Sequence, residues 1–154
     1  MYLLDTNVLS ELHREKPDAV PLAWFENMGA NEAFVSVLTI GELVKGAERI
    51  KDSRPVLYGS LVAWIEDLEE AYRERTLAIT LPISRRYGFL ARSKAVEREC
   101  GQIDILLAAT AIEHGLTVVT RNVAHFEKLQ ADVVNPWLPS GPDEPEPELP
   151  SGSG

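Results

Sequence analysis

Short leucine-rich and β-branched runs alternate with helical patterns along this chain, and most of the runs stop at polar residues. Tyr2–Leu4 leads through Asp5, Thr6 and Asn7 into Val8, Leu9 and Leu12, which have helical spacing. Pro17 and Pro21 bracket the start of a second helix carrying Leu22, Trp24 and Phe25, with Gly29 at its end. Ala33–Val37 predicts a second strand, and Thr39-Ile40-Gly41-Glu42 opens a helix that runs to about Lys51. A longer helix follows Pro55, with Leu57, Leu61, Trp64, Ile65, Leu68 and Tyr72 along one stripe. Leu77–Leu81 predicts a strand, Ser84–Cys100 a single helix stopped by Gly101, and Asp104–His114 an Ala-rich buried helix stopped by Gly115. Thr117–Thr120 is a β-branched strand, and Ala131–Asn135 a weaker last one. Strands that alternate with helices predict an α/β fold, a mainly parallel sheet with helices on both faces. The strand order is left open.

With 154 residues the chain suits one domain, and its single cysteine, Cys100, excludes an internal disulfide framework. A net charge of −9 argues against a general nucleic-acid clamp, which carries a basic face. Part of that charge sits in Ser140–Gly154, where four carboxylates accompany four prolines, three glycines and three serines without Lys or Arg. Such a segment buries too little apolar surface to order itself. Residues 139–154 are therefore expected to be a disordered acidic tail on a domain of residues 1–138. No apolar run approaches the roughly 20 residues of a membrane span and no signal-peptide pattern opens the chain, so a cytoplasmic protein is expected.

In open parallel sheets ligands bind beyond the carboxyl ends of the strands. Strand one delivers Asp5 there, the helix after strand two carries Glu42 one turn in, and the helix from Asp104 starts at that same edge because it leads into the last long strand. Each acid also has a purely structural role open to it. Asp5 can cap the next helix, Glu42 completes a Thr39-x-x-Glu42 capping box, and Asp104 complements a helix dipole. Two unit charges 4 Å apart repel by about 4 kcal/mol at an effective dielectric of 20. Three ionised carboxylates in one cleft hence need a cation or must take up protons. Oxygen ligands without Cys or His at ligand spacing favour Mg²⁺ or Mn²⁺, and phosphodiester or phosphoryl hydrolysis is the natural reaction.

Four stretches then stand in order: Leu3-Leu4-Asp5-Thr6-Asn7-Val8, Leu38-Thr39-Ile40-Gly41-Glu42-Leu43, Asp104-Ile105-Leu106-Leu107-Ala108-Ala109-Thr110-Ala111 and Val119-Thr120-Arg121-Asn122. Together they resemble the PIN-domain family, and within it the VapC-type toxins of bacterial toxin–antitoxin systems. Asn135-Pro136-Trp137 is similar to the FitB-type branch. The resemblance spans about residues 1–138. It implies a PIN-like three-layer fold and a Mg²⁺- or Mn²⁺-dependent ribonuclease, with Asp5, Glu42 and Asp104 as catalytic metal ligands. It also implies supporting roles for Asn7 and Thr120, a homodimer, and a cognate antitoxin that blocks the site and bridges to operator DNA. Asn7 and Thr120 equally suit a turn and a β-branched strand. The chain departs from the family pattern at the fourth acid: Thr120-Arg121-Asn122-Val123-Ala124-His125-Phe126 contains no carboxylate. Asn122 can supply a carbonyl oxygen there but no charge, which predicts weaker binding at one metal position. His125 is expected to be an exposed short-helix residue, with ligation of a softer metal as the alternative.

Lys45 and Arg49 follow Glu42 on about the same helical face, where they suit RNA phosphates or a helical ion pair. Arg121, or Arg85 and Arg86, could also contact phosphate. His13 and His114 read as a surface residue and a helix-end cation, and Cys100 as a small packing residue. The early apolar helix faces read mostly as core, part of them free for an antitoxin segment. Competing classes are an aspartyl-phosphate phosphatase, disfavoured because Asn7 stands where a second Asp is needed, and a catalytically impaired PIN domain serving as an antitoxin- or RNA-binding module.

Overall fold

Leu3 and Leu4 in the first strand are both fully buried, and they face opposite sides of the sheet. The first strand is therefore central and needs an apolar layer on each side. The computed structural model describes residues 1–29 and 31–138. The expected acidic tail, from residue 139 on, lies outside the described residues.

The elements in chain order are β1 (Tyr2–Leu4), α1 (Thr6–Leu12), α2 (Ala19–Glu26), β2 (Ala33–Ser36), α3 (Val37–Glu48) and α4 (Pro55–Ala71). A 3-10 turn (Arg73–Arg75) leads to β3 (Thr76–Leu77), α5 (Leu81–Leu90), α6 (Lys94–Cys100), α7 (Gln102–His114), β4 (Thr117–Val119), α8 (Val123–Lys128) and β5 (Val133–Val134). The five strands are all parallel, in the order β3-β2-β1-β4-β5. Tyr2 pairs with Ala33 on one side and Thr117 on the other, so β1, β2 and β4 end at one edge.

Leu3 belongs to a core with Ile105, Leu107, Ala108 and Ala111 of α7, Val118 and Phe126. Leu4 belongs to the opposite core with Val8, Leu9, Val35, Leu43, Ile65, Leu68 and Val119. Helices α1, α3 and α4 thus cover one face, and α6 to α8 the other. The α/β, three-layer expectation stands.

Several boundaries differ from the sequence-based expectation. The helix expected over Ser84–Cys100 is two helices, because Ser93 accepts a bond from Val96 N and starts α6 anew. The break lets Tyr87 and Leu90 before it, and Val96 after it, reach the same core. The strand expected at Leu77–Leu81 shrinks to Thr76–Leu77, and Leu81, 72% exposed, opens α5 instead. The Thr39-x-x-Glu42 capping box does not form. Ser36 caps α3 three residues earlier by accepting from Leu38 N, which leaves Thr39 Oγ1 to donate to the Leu4 carbonyl. Gly115 ends α7 in the left-handed region, at φ 63°, with Leu116 N reaching back to the Ala111 carbonyl.

Candidate active site

Asp5 is 6% exposed and sits where β1 becomes α1. It keeps an extended φ/ψ while its Oδ1 accepts from Thr6 N at 2.7 Å, so the structural capping role is real. Oδ2 does something a cap does not require. It accepts from Asn7 Nδ2 at 2.8 Å and from Thr120 Oγ1 at 2.7 Å, across to the end of β4. Thr120 is fully buried, and its hydroxyl uses every capacity it has, also accepting from Asn7 Nδ2 and Asn122 N.

Glu42 is tied to the same point from the other direction. Thr39, fully buried, bonds the end of β1 and fixes the first turn of α3 there. One turn on, Glu42 Oε2 accepts from Thr6 Oγ1 at 2.8 Å. On the far side, Asp104 in the first turn of α7 accepts at Oδ2 from Asn122 Nδ2 at 3.1 Å. Side-chain hydrogen bonds, with two backbone N–H donors, at Thr6 and at Asn122, therefore run from Glu42 through Thr6, Asp5, Thr120 and Asn122 to Asp104. The three carboxylates expected from the sequence share one edge of the sheet.

Their proximity shows in the electrostatics. Burial, first of all, holds the Asp5 carboxyl above the ordinary carboxylate range, and the charges of Asp104 and Glu42 push the same way. The bonds from Thr120 and Thr6 oppose the rise without cancelling it. Among the described residues no three His, Cys, Asp or Glu side chains are arranged to hold a metal ion by themselves. The donor set nonetheless suits a hard cation. Asp5 Oδ1 accepts a single bond, and Glu42 Oε1 and Asp104 Oδ1 accept none among the described residues. Mg²⁺ binds in this way, through one or two carboxylates with water on its remaining positions.

His125 corrects the expectation of an exposed helix residue. Phe126 and Leu129 are buried in the core, which turns the adjoining face of α8 toward α7. His125 Nδ1 lies 2.7 Å from Asp104 Oδ2 and 2.6 Å from Asn122 Nδ2. The signal was the i, i+3 spacing of Asn122 and His125 at a helix start, which puts both on one face. Thr6, given no role from sequence, is the other addition, as the bridge between Asp5 and Glu42.

The basic candidates divide. Lys45 on α3 and Arg49 at its C-cap are exposed, and neither pairs with Glu42 or any other acid among the described residues. Arg121 is occupied, its guanidinium 3.3 Å from Glu11 Oε2 and 4.1 Å above the Trp137 ring, while its backbone N–H donates to Asn7 Oδ1. Arg86 pairs with Glu113. His13 stacks on Trp64, and Cys100 packs in the core.

An acidic cluster at the carboxyl edge of an all-parallel three-layer α/β fold defines the class, and comparison with known proteins defines the family. The PIN domain family matches residues 2–131. A VapC ribonuclease, Y4jK, from Sinorhizobium fredii is 34% identical over 142 residues, covering 91% of this chain and all of the relative. Toxin FitB from Neisseria gonorrhoeae is 32% identical over 140 residues, covering 89% of this chain and 99% of FitB. The crystal structure of FitAcB from Neisseria gonorrhoeae superposes with a TM-score of 0.75 at 31% identity, covering 89% of this chain and 99% of that one. The chain belongs to the PIN-domain family.

Proposed function

We propose that this protein is a Mg²⁺- or Mn²⁺-dependent endoribonuclease, the toxin of a toxin–antitoxin pair, with Asp5, Glu42 and Asp104 as its catalytic metal ligands. The observation that carries the proposal is the run of hydrogen bonds joining those three carboxylates, with Asp5 buried where an ionised carboxylate is costly unless a cation compensates it. The ribonuclease and toxin names of the relatives support it.

An ion bound at this edge would polarise a phosphoryl oxygen and lower the pKa of an attacking water. The chain's own residues prepare the ground. Thr120, Asn7 and Thr6 N hold both Asp5 oxygens in place, and the bonds from Thr120 and Thr6 keep the carboxyl more acidic than burial alone would allow. Thr6 Oγ1 orients Glu42, and Asn122 and His125 orient Asp104. Lys45 of α3 and Arg49 at its C-cap, without an acid partner among the described residues, are the cations proposed to meet RNA phosphates. RNA binding that runs through these cations and bound ions should weaken as salt rises, by an amount set by the number of phosphates they meet. The guanidinium of Arg121 is engaged elsewhere and is a weaker candidate.

The partners proposed are a cognate antitoxin, a second copy of this chain in a homodimer, and operator DNA reached through the antitoxin. Solved complexes named FitAcB and FitAB, the latter bound to a DNA fragment, support this assembly. No helix among the described residues is long and apolar enough to cross a membrane; a cytoplasmic location is proposed because the proposed substrate, RNA, is met there. Asn122, where a fourth carboxylate would add charge, favours one second reading: a catalytically impaired domain that binds antitoxin or RNA.

Cleavage of an RNA panel with Mg²⁺, with Mn²⁺ and with EDTA tests the proposal. Asp5→Asn and Asp104→Asn should each lower the rate at least about 100-fold, a loss of roughly 2.7 kcal/mol of transition-state stabilisation. Equal cleavage by wild type and Asp5→Asn overturns the catalytic assignment. Absence of cleavage on every RNA, with antitoxin binding intact, establishes the binding module instead.

A further inference from the structure

Three side-chain atoms close a triangle at the start of α8. His125 Nδ1 is 2.7 Å from Asp104 Oδ2, and Asn122 Nδ2 is 2.6 Å from His125 Nδ1 and 3.1 Å from Asp104 Oδ2. Hydrogen bonding alternates donors with acceptors, and three atoms with one role each cannot alternate around a ring. An ionised carboxylate oxygen accepts, an amide nitrogen donates, and an imidazole nitrogen does one or the other. With a proton on Nδ1, two donors face each other along the 2.6 Å edge. Without it, two acceptors face each other along the 2.7 Å edge. One contact fails either way.

A cation satisfies all three. On ion binding a half-turn of the Asn122 amide exchanges nitrogen for oxygen without changing its shape, and the ion replaces the link that the amide N–H otherwise makes to Asp104. The triangle then offers three lone pairs, from a carboxylate oxygen, an imidazole nitrogen and an amide oxygen. Its edges of 2.6, 2.7 and 3.1 Å compare with the spacing of about 3 Å between adjacent ligands set about 2.1 Å from one six-coordinate ion. The frame around it is firm: α7 carries Asp104, Phe126 anchors α8, and Asn122 N is held by Thr120 Oγ1. Asp104 and His125 stay 21% and 29% exposed, so an ion and its waters have access.

We propose that Asp104 Oδ2, His125 Nδ1 and the Asn122 side-chain oxygen form a mixed nitrogen–oxygen seat for a divalent transition-metal ion. The seat gives this chain a preference for Mn²⁺, and more strongly Co²⁺, over Mg²⁺, since imidazole suits first-row transition metals and Mg²⁺ demands oxygen. It rests on the acidic edge being a metal site, as the proposed function has it.

Untagged protein titrated with Mn²⁺ and followed by electron paramagnetic resonance, with electron spin-echo modulation on the bound ion, tests the seat independently of catalysis. Wild type should show nitrogen coupling from one imidazole. His125→Ala and the milder His125→Gln should lose it and weaken Mn²⁺ at least about tenfold more than they weaken Mg²⁺, because both ions lose the partner that positions Asp104 and Mn²⁺ alone also loses a nitrogen ligand. His13→Ala and His114→Ala should keep the coupling. Mn²⁺ bound without nitrogen coupling in wild type means a carboxylate-only site and overturns the seat, leaving the nuclease proposal intact. Failure of folded wild type, checked by circular dichroism, to bind either ion overturns the seat and the metal dependence together.

Discussion

Thr120→Val keeps the shape of a fully buried side chain and removes one oxygen that serves three partners. Asp5 Oδ2 loses a charge-assisted bond of 2.7 Å, worth about 1.5–3 kcal/mol. Asn122 N loses its acceptor at 2.9 Å, and an unsatisfied donor that is only partly buried costs about 1–2 kcal/mol. Asn7 Nδ2 retains Asp5 and adds little. The expected loss is about 2–5 kcal/mol, a large share of a typical net stability of roughly 5–15 kcal/mol. Its pH dependence identifies the cause. Burial already lifts the folded-state pKa of Asp5 above its unfolded value of 3.8, and the Thr120 bond restrains that rise. A raised acid contributes stability that is present below the unfolded value and lost as pH rises through the folded one. Without the hydroxyl the folded value climbs further, so the deficit of the variant is full at neutral pH and shrinks as acid protonates Asp5. Urea unfolding of wild type, Thr120→Val and Thr120→Ser at pH 7.5 and at successively lower pH measures this. Thr120→Ser, which keeps the oxygen, should lose only about 1 kcal/mol. A Thr120→Val deficit below about 1 kcal/mol, or one equal at every pH, refutes the electrostatic role assigned to the hydroxyl.

Three further outcomes are expected. Thr6→Val frees Glu42 from its bond to Asp5's neighbour, so RNA cleavage should drop about tenfold while urea stability moves by no more than about 1 kcal/mol; a stability loss without an activity loss would make Thr6 merely structural. Glu11 is held below the usual carboxylate range, chiefly by the Asp18 backbone N–H and then by Arg14 and Arg121. Its contribution is thus present above the unfolded pKa of about 4.5 and disappears as pH falls through the folded value, and Glu11→Gln should flatten the acid limb of a urea-midpoint profile. Gly115→Ala should cost about 1–2 kcal/mol in the same assay, because φ is 63° there although no atom lies within 4 Å of the added Cβ.

Much of the fold follows from local sequence, since its causes are local. Apolar runs of three or four residues suit strands buried on both faces, and Gly101 and Gly115 end helices because each holds a positive φ. The convergence of Asp5, Glu42 and Asp104 was likewise legible, because parallel strands put every strand-to-helix junction, and the start of a helix that leads into the next strand, at one edge. The break at Ser93 and the shift of the α3 cap from Thr39 to Ser36 were not. Both are choices between equivalent local caps, decided by which residues reach the core and by the bond from Thr39 to the Leu4 carbonyl.

Residue type and spacing accordingly established the α/β class, the polar edge and the three acids, since those depend on each segment's own periodicity and on the common direction of parallel strands. The packing of Phe126 and Leu129 against α7 is a long-range matter, invisible in any one segment. It alone carries His125 to Asp104 and turns an apparently missing fourth carboxylate into an Asn–His pair beside it.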